Sequence, residues 1–300
     1  MIHRIIEYQD NVLEQFRKGS SIGEKSGLEF LDPIMKIRPG FFYGVTGWPG
    51  SGKSEFVMQL LLLQAVMSKR KVAFYSPESY PVESFIATMA HCYLGKSTDR
   101  GYNNCCTEGE FKAAIEWLNE WVFLVDYDDA PDSTQVIEDF TSLNAAYGVK
   151  VFCLDPFNSL NNVDENPNMA LQLKTVLNGF VHFTHKNKVI FFCIEHPRTP
   201  RDANEIATIP GAHQLFGGTM WWNKCDSLLA IHAEREEGKY TGDVIIKVWK
   251  MKNQKLNGRP GEVRAFFNIQ TNRYYFNKLG GGNAMEHQVK EIKSEPEWIL

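Results

Sequence analysis

The segment Gly47-Trp48-Pro49-Gly50-Ser51-Gly52-Lys53-Ser54 lies between two largely apolar stretches, residues 41–46 and residues 55–63. The first stretch is typical of a buried strand and the second of a helix that enters the core. The segment itself has the phosphate-binding pattern G-x-x-x-x-G-K-[ST], known as a P-loop. Its glycines let backbone N–H groups turn inward around a polyphosphate, and the N-terminus of the following helix favours negative charge. The segment therefore predicts a binding site for a nucleoside triphosphate.

Each residue of this loop has an expected role in binding ATP, or another nucleoside triphosphate, together with Mg²⁺. The ammonium group of Lys53 is expected to reach the β- and γ-phosphates and to support catalysis. The Ser54 hydroxyl is expected to bind Mg²⁺. The other six residues are expected to surround the phosphates: Gly47, Trp48, Pro49, Gly50, Ser51 and Gly52.

Strand-like and helix-like stretches alternate along most of the chain. Apolar, β-rich runs occur at 41–46, 71–76, 121–126, 149–155, 189–195 and 226–232. Helices are expected near 53–68, 81–94, 108–119, 133–147 and 168–186. Strands at 243–250, 265–267 and 273–276, with Asn257-Gly258 as a turn signal, predict hairpins. The pattern predicts an α/β fold with a doubly wound, mainly parallel sheet and C-terminal antiparallel hairpin strands.

The chain is expected to have three parts. Residues 1–20 predict an N-terminal linker helix, which either packs on another subunit or caps its own domain. Residues 21–278 predict the nucleotide-binding domain. Residues 279–300 are polar and mixed in charge, so they predict a tail that is loosely ordered or docks on a neighbour.

Composition restricts the class of protein but leaves its partner open. The 300 residues carry a net charge of −4 with a pI near 6.1, which argues against a basic surface that grips duplex DNA. This composition does not exclude a nucleic-acid partner that is held by a few basic loop residues. No apolar run reaches the length of a membrane span and the N-terminus lacks a secretion signal, so no membrane partner is expected. Cys153 and Cys193 fall in expected buried strands, which is typical of reduced cysteines in a cytosolic protein.

Two acidic residues follow expected buried strands and extend the expected site. Asp155 comes directly after the apolar residues 151–154 and is expected to bind Mg²⁺. The alternative is a capping or turn aspartate before Pro156. Glu78 follows the strand at 71–76 and is expected to be the catalytic base that orients water, provided that this strand neighbours the P-loop strand. The alternative for Glu78 is a solvated loop residue.

These motifs together resemble those of the replicative hexameric DNA helicases. They are the P-loop, Ser76-Pro77-Glu78, Leu154–Asn158, Glu195–Arg198, and Gly217-Gly218 through Asp226, in the order and spacing of that family. The chain is similar to the RecA-like motor domain of the DnaB-like group, especially bacteriophage primase–helicases and the mitochondrial Twinkle helicase. The likeness covers about residues 28–276. It implies a RecA-like form of the α/β fold described above.

The resemblance also implies roles for single residues. His196 matches the switch residue that senses the γ-phosphate, although a histidine at a strand end is otherwise more often structural. Asn223 stands where the family usually has a glutamine near the phosphate, and Lys250 matches the lysine of a Lys-x-Arg motif beside the nucleotide. The loop 197–213, with Arg198 and Arg201, resembles the loop that binds single-stranded DNA in the channel of the ring.

At Lys252 the sequence departs from the family. The usual residue is an arginine that reaches across the subunit interface to the neighbour's γ-phosphate. Lysine keeps the charge without the planar fork, so Lys252 is expected to be a weaker catalytic group, or Arg259 or Arg264 supplies the missing function.

The sequence and the resemblance together predict an ATP-driven, ring-forming DNA helicase motor. Its 5′-to-3′ polarity is implied by the resemblance alone. Single-stranded DNA and further copies of the chain, in a hexamer, are its expected partners, together with a primase, a polymerase or a loader. The expected location is the cytoplasm of a bacterial or phage-infected cell. The alternatives are a RecA-like ATPase of recombinase or regulatory type, an ATP-dependent assembly module without unwinding, and a P-loop small-molecule kinase.

Overall fold

The computed structural model describes residues 3–161, 169–236 and 238–288, and these contain a nine-stranded sheet flanked by helices. The strands are β1 (Phe42–Thr46), β2 (Val72–Tyr75), β3 (Val122–Val125), β4 (Val151–Leu154), β5 (Ile190–Ile194), β6 (Ser227–Glu236), β7 (Lys239–Met251), β8 (Gly261–Asn268) and β9 (Arg273–Tyr275). The helices are α1 (Gln9–Lys18), α2 (Lys53–Ser68), α3 (Val82–Leu94), α4 (Glu108–Trp121), α5 (Ser133–Tyr147), α6 (Met169–Asn187), α7 (Ala203–Ile206), α8 (Gly218–Lys224), α9 (Gln254–Asn257) and α10 (Met285–Gln288). Every strand and helix that the sequence predicts for the core is present, with shifted end points. Residue 168, the first residue expected in α6, lies outside the described residues.

The sheet has the order β3-β2-β4-β5-β1-β6-β7-β8-β9. Strands β1 to β6 pair in parallel, so their carboxyl ends meet at one edge, and β7, β8 and β9 continue the sheet in antiparallel pairs. This confirms the expected α/β fold. The condition set for Glu78, that β2 neighbours β1, is not met, because β4 and β5 lie between them. Strand order depends on how the crossover helices pack, and the sequence of one strand does not encode it.

Both faces of the parallel strands are covered, which explains why these strands are continuous apolar runs. On one face lies α2, in which every residue from Phe56 to Val66 is buried between the sheet, β9 and α10. On the other face an aromatic cluster packs beneath α5 and α6, with the Phe180 and Phe191 rings 5.1 Å apart. In the described part of the chain, no helix combines the length and the apolarity needed to cross a membrane.

The N-terminal segment is helical, as expected, but buries none of its own residues. A 3₁₀ turn, Ile5–Tyr8, leads into α1, and neither contains a buried residue. Ile5 is 92% exposed and Phe16 is 86% exposed. The segment therefore does not act as a cap on its own domain in this structure.

The C-terminal strands form the expected antiparallel hairpins, and Asn257-Gly258 lies in the connection between β7 and β8. The connection between β7 and β8 contains the short helix α9, after which Gly258 continues with a φ of +109°. Beyond β9, the backbone N–H of Ala284 donates to the carbonyl oxygen of Gly27, and Met285 is fully buried. The packed part of the chain thus extends to Met285, inside the segment 279–300 that was expected to form a tail. Residues 289–300 of that segment lie outside the described residues.

Candidate nucleotide site

The P-loop follows β1 at the carboxyl edge of the sheet and leads into α2. Gly52 has a φ of +85°, and a Cβ added there would lie 2.2 Å from the Tyr274 hydroxyl oxygen. Gly50 has a φ of +69°, and its added Cβ would lie 2.4 Å from the Tyr240 hydroxyl oxygen. Left-handed backbone and close neighbours together require glycine at both positions. They hold the loop in the curved form that fits a polyphosphate.

Lys53 is the first residue of α2 and is only 5% exposed. Its Nζ atom donates a hydrogen bond to the Trp48 carbonyl oxygen at 3.2 Å, inside the curve of the loop. Burial lowers the pKa of Lys53, whereas the charges of Asp155, Glu55 and Glu78 raise it. A phosphate anion in the loop would favour the charged form of this ammonium group.

Asp155 directly follows β4 and is close enough to Ser54 for a hydrogen bond between their side chains. Burial raises the pKa of Asp155 to about 6, and both the Ser54 hydrogen bond and the charge of Lys53 oppose that rise. A hydroxyl and a carboxylate are oxygen ligands of the kind that Mg²⁺ prefers. The two residues would therefore be suited to hold a Mg²⁺ ion beside the P-loop.

Glu78 and His196 meet although they follow different strands. Glu78 lies in the loop after β2, His196 lies after β5, and their atoms Oε2 and Nε2 are 3.5 Å apart. Burial and the charge of Lys53 lower the pKa of His196, whereas Glu78 raises it. The Glu78 side chain is 63% exposed, so its carboxylate is accessible to a water molecule. The structure thus brings the expected base and the expected switch residue together.

A buried carboxyl group next to His196 was given no role by the sequence motifs. Glu195 is 4% exposed, and within the described residues its Oε2 atom has no hydrogen-bond partner. Burial raises the pKa of Glu195 to about 8. Its backbone N–H donates to Val45 at 2.9 Å, so it lies beside the end of β1, where the buried Thr46 hydroxyl is also unpaired within the described residues. The available signal was an acidic residue that continues an apolar strand.

A cleft of about 570 Å³ opens between the P-loop and the antiparallel strands. Its walls include Gly52, together with Tyr240 and Phe266 from β7 and β8 and Tyr274 from β9. Aromatic walls beside a phosphate site fit the flat face of a nucleobase. No local motif marks these residues, because only the pairing of β7, β8 and β9 brings them to the P-loop.

The loop Pro197–His213, here called the arginine loop, starts directly after His196. The Arg198 guanidinium donates to both carboxylate oxygens of Glu205, at 2.5 and 3.1 Å. The backbone N–H of Arg201 donates to the same carboxylate at 2.7 Å. The two arginines expected to bind DNA therefore lie together, around an acidic residue for which the motifs predict no role.

Three expected nucleotide contacts lie at the opposite edge of the sheet from the P-loop of the same chain. Lys252 Nζ donates to Asp226 Oδ1 at 2.7 Å, and the Asp226 backbone N–H donates to the carbonyl oxygen of Phe42, the first residue of β1. The P-loop follows the last residue of this strand, about 15 Å away. Lys250 lies near Lys252 at the end of β7, and Asn223 lies in α8, just before β6 begins. A role for these three residues at a phosphate would require a second subunit.

Comparisons with known proteins agree with the motifs, although no family model matches the chain. The chain is 24% identical over 264 residues to the Twinkle homolog protein, chloroplastic/mitochondrial, of Arabidopsis thaliana. The match covers 85% of this chain but 37% of that protein, so the chain spans little more than a third of its relative.

Two solved structures share the fold. The ATPase domain of G40P has a TM-score of 0.73 at 15% identity, with 91% of this chain and 99% of that chain covered. A DnaB-like replicative helicase, described with its interactions with primase, has a TM-score of 0.71 at 14% identity, with 90% and 68% covered. These likenesses, together with the Twinkle homologue, confirm the resemblance of this chain to the motor domains of DnaB-like and Twinkle helicases, whose RecA-like fold it shares.

Proposed function

We propose that this chain is an ATP-hydrolysing motor that assembles into a ring and moves single-stranded DNA through the channel of that ring. The observation that carries the proposal is the contact between Glu78 and His196. It joins Glu78, whose carboxylate is suited to activating water, to His196, which directly precedes the arginine loop. The similarity to DnaB-like and Twinkle helicases supports the same proposal.

Hydrolysis would use the groups at the carboxyl edge of the sheet. Lys53 would contact the β- and γ-phosphates and balance their charge. Ser54 and Asp155 would hold Mg²⁺, which supplies positive charge to the phosphate oxygens. Glu78 would accept a hydrogen bond from a water molecule and orient it toward the γ-phosphorus. His196 would respond to the nucleotide through the same carboxylate, and so transmit its state to the arginine loop.

The positions of Lys252, Lys250 and Asn223 support a ring. All three lie at the far edge of the sheet from the P-loop, so in a head-to-tail assembly they would face the nucleotide of the next subunit. The exposed apolar residues of the 3₁₀ turn and α1, such as Ile5 and Phe16, would gain burial on a neighbouring copy. A hexamer follows from the resemblance.

The decisive experiment joins assembly with strand separation. The mass of the chain in solution is measured with and without ATP-Mg²⁺ and a single-stranded oligonucleotide, and the same sample is given a forked DNA duplex. Ring-sized particles, DNA-stimulated ATP hydrolysis and unwinding are the expected results. Nucleotide-dependent filaments, or ATP hydrolysis that is indifferent to DNA, would contradict the motor and favour a recombinase-type or regulatory ATPase.

The remaining parts of the proposal rest on the family likeness alone. A role in replication implies contact with a primase, a polymerase or a loader, and the DnaB-like structural neighbour is itself a helicase that interacts with primase. Location in the cytoplasm of a bacterial or phage-infected cell stays a prediction, since the name of the Arabidopsis relative places that protein in organelles.

A further inference from the structure

Within the arginine loop, the carboxylate of Glu205 forms an ion pair with the guanidinium of Arg198. The two groups form a two-pronged pair, with Nη2 to Oε1 at 2.5 Å and Nη1 to Oε2 at 3.1 Å. The hydrogen bonds from Arg198 and from the Arg201 backbone lower the pKa of Glu205, so this residue is a carboxylate at neutral pH. The Arg198 side chain is 35% exposed and that of Glu205 is 15% exposed. An anion from solvent therefore has access to the arginine.

A carboxylate and a phosphate compete for the same atoms of an arginine. Both present two oxygen atoms at a spacing that fits the planar guanidinium fork. While Glu205 holds the fork, Arg198 offers little of its charge to a DNA backbone. A DNA phosphate that binds the Nη1–Nη2 edge of Arg198 has to displace Glu205, because the carboxylate occupies both of these atoms.

The same glutamate is connected to the P-loop through its backbone. The Glu205 carbonyl oxygen accepts hydrogen bonds from the backbone N–H and the hydroxyl of Thr208, at 3.0 and 2.7 Å. The Thr208 carbonyl oxygen accepts a hydrogen bond from Trp48 Nε1 at 2.8 Å. The Trp48 carbonyl oxygen in turn accepts the hydrogen bond from Lys53. Hydrogen bonds, joined through the residues Trp48, Thr208 and Glu205, thus connect Lys53 to Arg198.

We propose that Glu205 is an internal competitor of the DNA backbone, and that its displacement by a DNA phosphate is transmitted to the P-loop through Thr208 and Trp48. This inference rests on the proposed function, because it names the residues that couple DNA binding to the nucleotide site. The ends of the arginine loop are held by a β-bridge between Pro197 and Leu215 and by the backbone hydrogen bond from Arg198 to Gln214. If a DNA phosphate displaces Glu205, the part of the loop between these ends, which contains Glu205 and Thr208, would be the part that moves.

Coupling of this kind is reciprocal. If DNA changes the affinity for nucleotide by some factor, the nucleotide changes the affinity for DNA by the same factor. Removing a hydrogen bond that transmits the change should bring that factor closer to one. The competition and its transmission can therefore be measured separately, the first as an affinity for DNA and the second as this factor.

The first measurement is the affinity for a fluorescein-labelled oligothymidylate, with Mg²⁺ and a non-hydrolysable ATP analogue. Glu205→Gln keeps the size of the side chain but removes its charge, so it should tighten binding about two- to fivefold, the range for an exposed ion pair. Glu205→Ala should act in the same direction. Glu108→Gln is the matched control, because it removes an equal charge from an ion pair with Lys112 on α4, outside the arginine loop.

The outcomes separate the two proposals. Tighter binding by Glu205→Gln, with Glu108→Gln at the parent value, supports the competition, as does binding by Glu205→Gln alone. Equal affinities in the parent and the Glu205 variants would overturn the competition and leave the proposed function standing. If neither the parent nor Glu205→Gln binds the oligonucleotide, both proposals are wrong.

The second measurement is the factor by which the oligonucleotide changes the affinity for the ATP analogue. Trp48→Phe keeps a large ring but lacks the indole N–H, so its factor should be closer to one than the parent's. Trp249→Phe is the matched control, because Trp249 Nε1 also anchors the arginine loop, on the Pro210 carbonyl oxygen at 2.9 Å, but belongs to β7. The parent factor is expected for this control. A parent factor of one, or equal changes in both tryptophan variants, would overturn transmission through Trp48.

Discussion

His196 Nε2 lies 3.5 Å from Glu78 Oε2, although the strands that lead to these residues, β5 and β2, are separated by β4. The contact places the expected switch residue against the expected base at the carboxyl edge of the sheet. It also sets His196 between two opposing influences on its pKa, since Glu78 raises it while burial and Lys53 lower it. A change in charge at the phosphates would therefore be felt at His196, directly before the arginine loop.

Lys53 and Glu78 should fail in different ways when they are replaced. Lys53→Ala should weaken nucleotide binding and abolish turnover, because it removes the ammonium group that would balance the negative charge of the β- and γ-phosphates. Glu78→Gln should keep nucleotide affinity near the parent value but lower turnover by about 10²–10⁴-fold, the usual range for loss of a general base. Binding of a fluorescent ATP analogue and steady-state ATP hydrolysis distinguish the two. Hydrolysis by Glu78→Gln at the parent rate would remove Glu78 from the role of base.

Replacement of both Arg198 and Arg201 by Ala should weaken binding of single-stranded DNA and flatten its dependence on salt. For each DNA phosphate that the variant no longer neutralises, the slope of log affinity against log salt concentration should become shallower by about 0.7. DNA-independent ATP hydrolysis should continue. The measurement is anisotropy of a labelled oligonucleotide at several salt concentrations. An unchanged slope would mean that DNA is held elsewhere, with Lys239 and Lys247 as the next candidates.

Lys252→Ala should lower turnover while nucleotide affinity stays close to the parent value, because Lys252 lies far from the P-loop of its own chain. An arginine that acts across a subunit interface contributes about 10³–10⁵ in rate, and a lysine should contribute less. Lys252→Arg should therefore raise turnover. The ion pair with Asp226 would have to open for Lys252 to reach a neighbour's phosphate.

Mixing two variants that are each impaired in turnover tests this interface directly. Lys252→Ala subunits combined with Lys53→Ala subunits would form some interfaces that join an intact P-loop to an intact Lys252. Hydrolysis of ATP should partly return in the mixture. If mixed rings form without any recovery, Lys252 does not act across the interface, and Arg259 becomes the next candidate for that role.

Glu195→Gln should stabilise the fold increasingly as pH rises. Burial raises the pKa of Glu195 from an ordinary 4.5 to about 8, so the folded chain holds this proton where the unfolded chain has lost it. Stability is therefore lost as pH increases from about 4.5 to 8. Glutamine is neutral at every pH and avoids that loss. We therefore expect the Tm of Glu195→Gln at pH 8 to lie several degrees above that of the parent, since a change of about 1 kcal/mol in the free energy of unfolding shifts Tm by 2–4 °C.

Thermal unfolding of Glu195→Gln and the parent at pH 5, 6.5 and 8 checks this prediction. Glu116→Gln on the exposed side of α4 serves as the control, and its Tm should follow the parent at each pH. A difference in Tm between Glu195→Gln and the parent that stays constant across this range would show that folding does not raise the pKa of Glu195.

Local sequence marks several parts of the candidate site. The P-loop, with glycine at positions 50 and 52, is visible because left-handed backbone restricts the residue type. Asp155 is visible because an acidic residue ends an apolar run. In contrast, the position of β4 between β2 and β5 and the pairing of Glu205 with Arg198 have no local signal. Each depends on which parts of the chain pack side by side.

The sequence by itself determined the elements of this protein: the strands and helices of the core, the phosphate loop, and the acidic residues that follow buried strands. These depend on hydrophobic periodicity and backbone preference, which act over a few neighbouring residues. Only the tertiary structure decided that Glu78 meets His196, that Tyr240 and Phe266 line a cleft beside the P-loop, and that Lys252 lies at the opposite edge. Strand order and the packing of helices on the sheet fix those positions, because they bring together residues far apart in the chain.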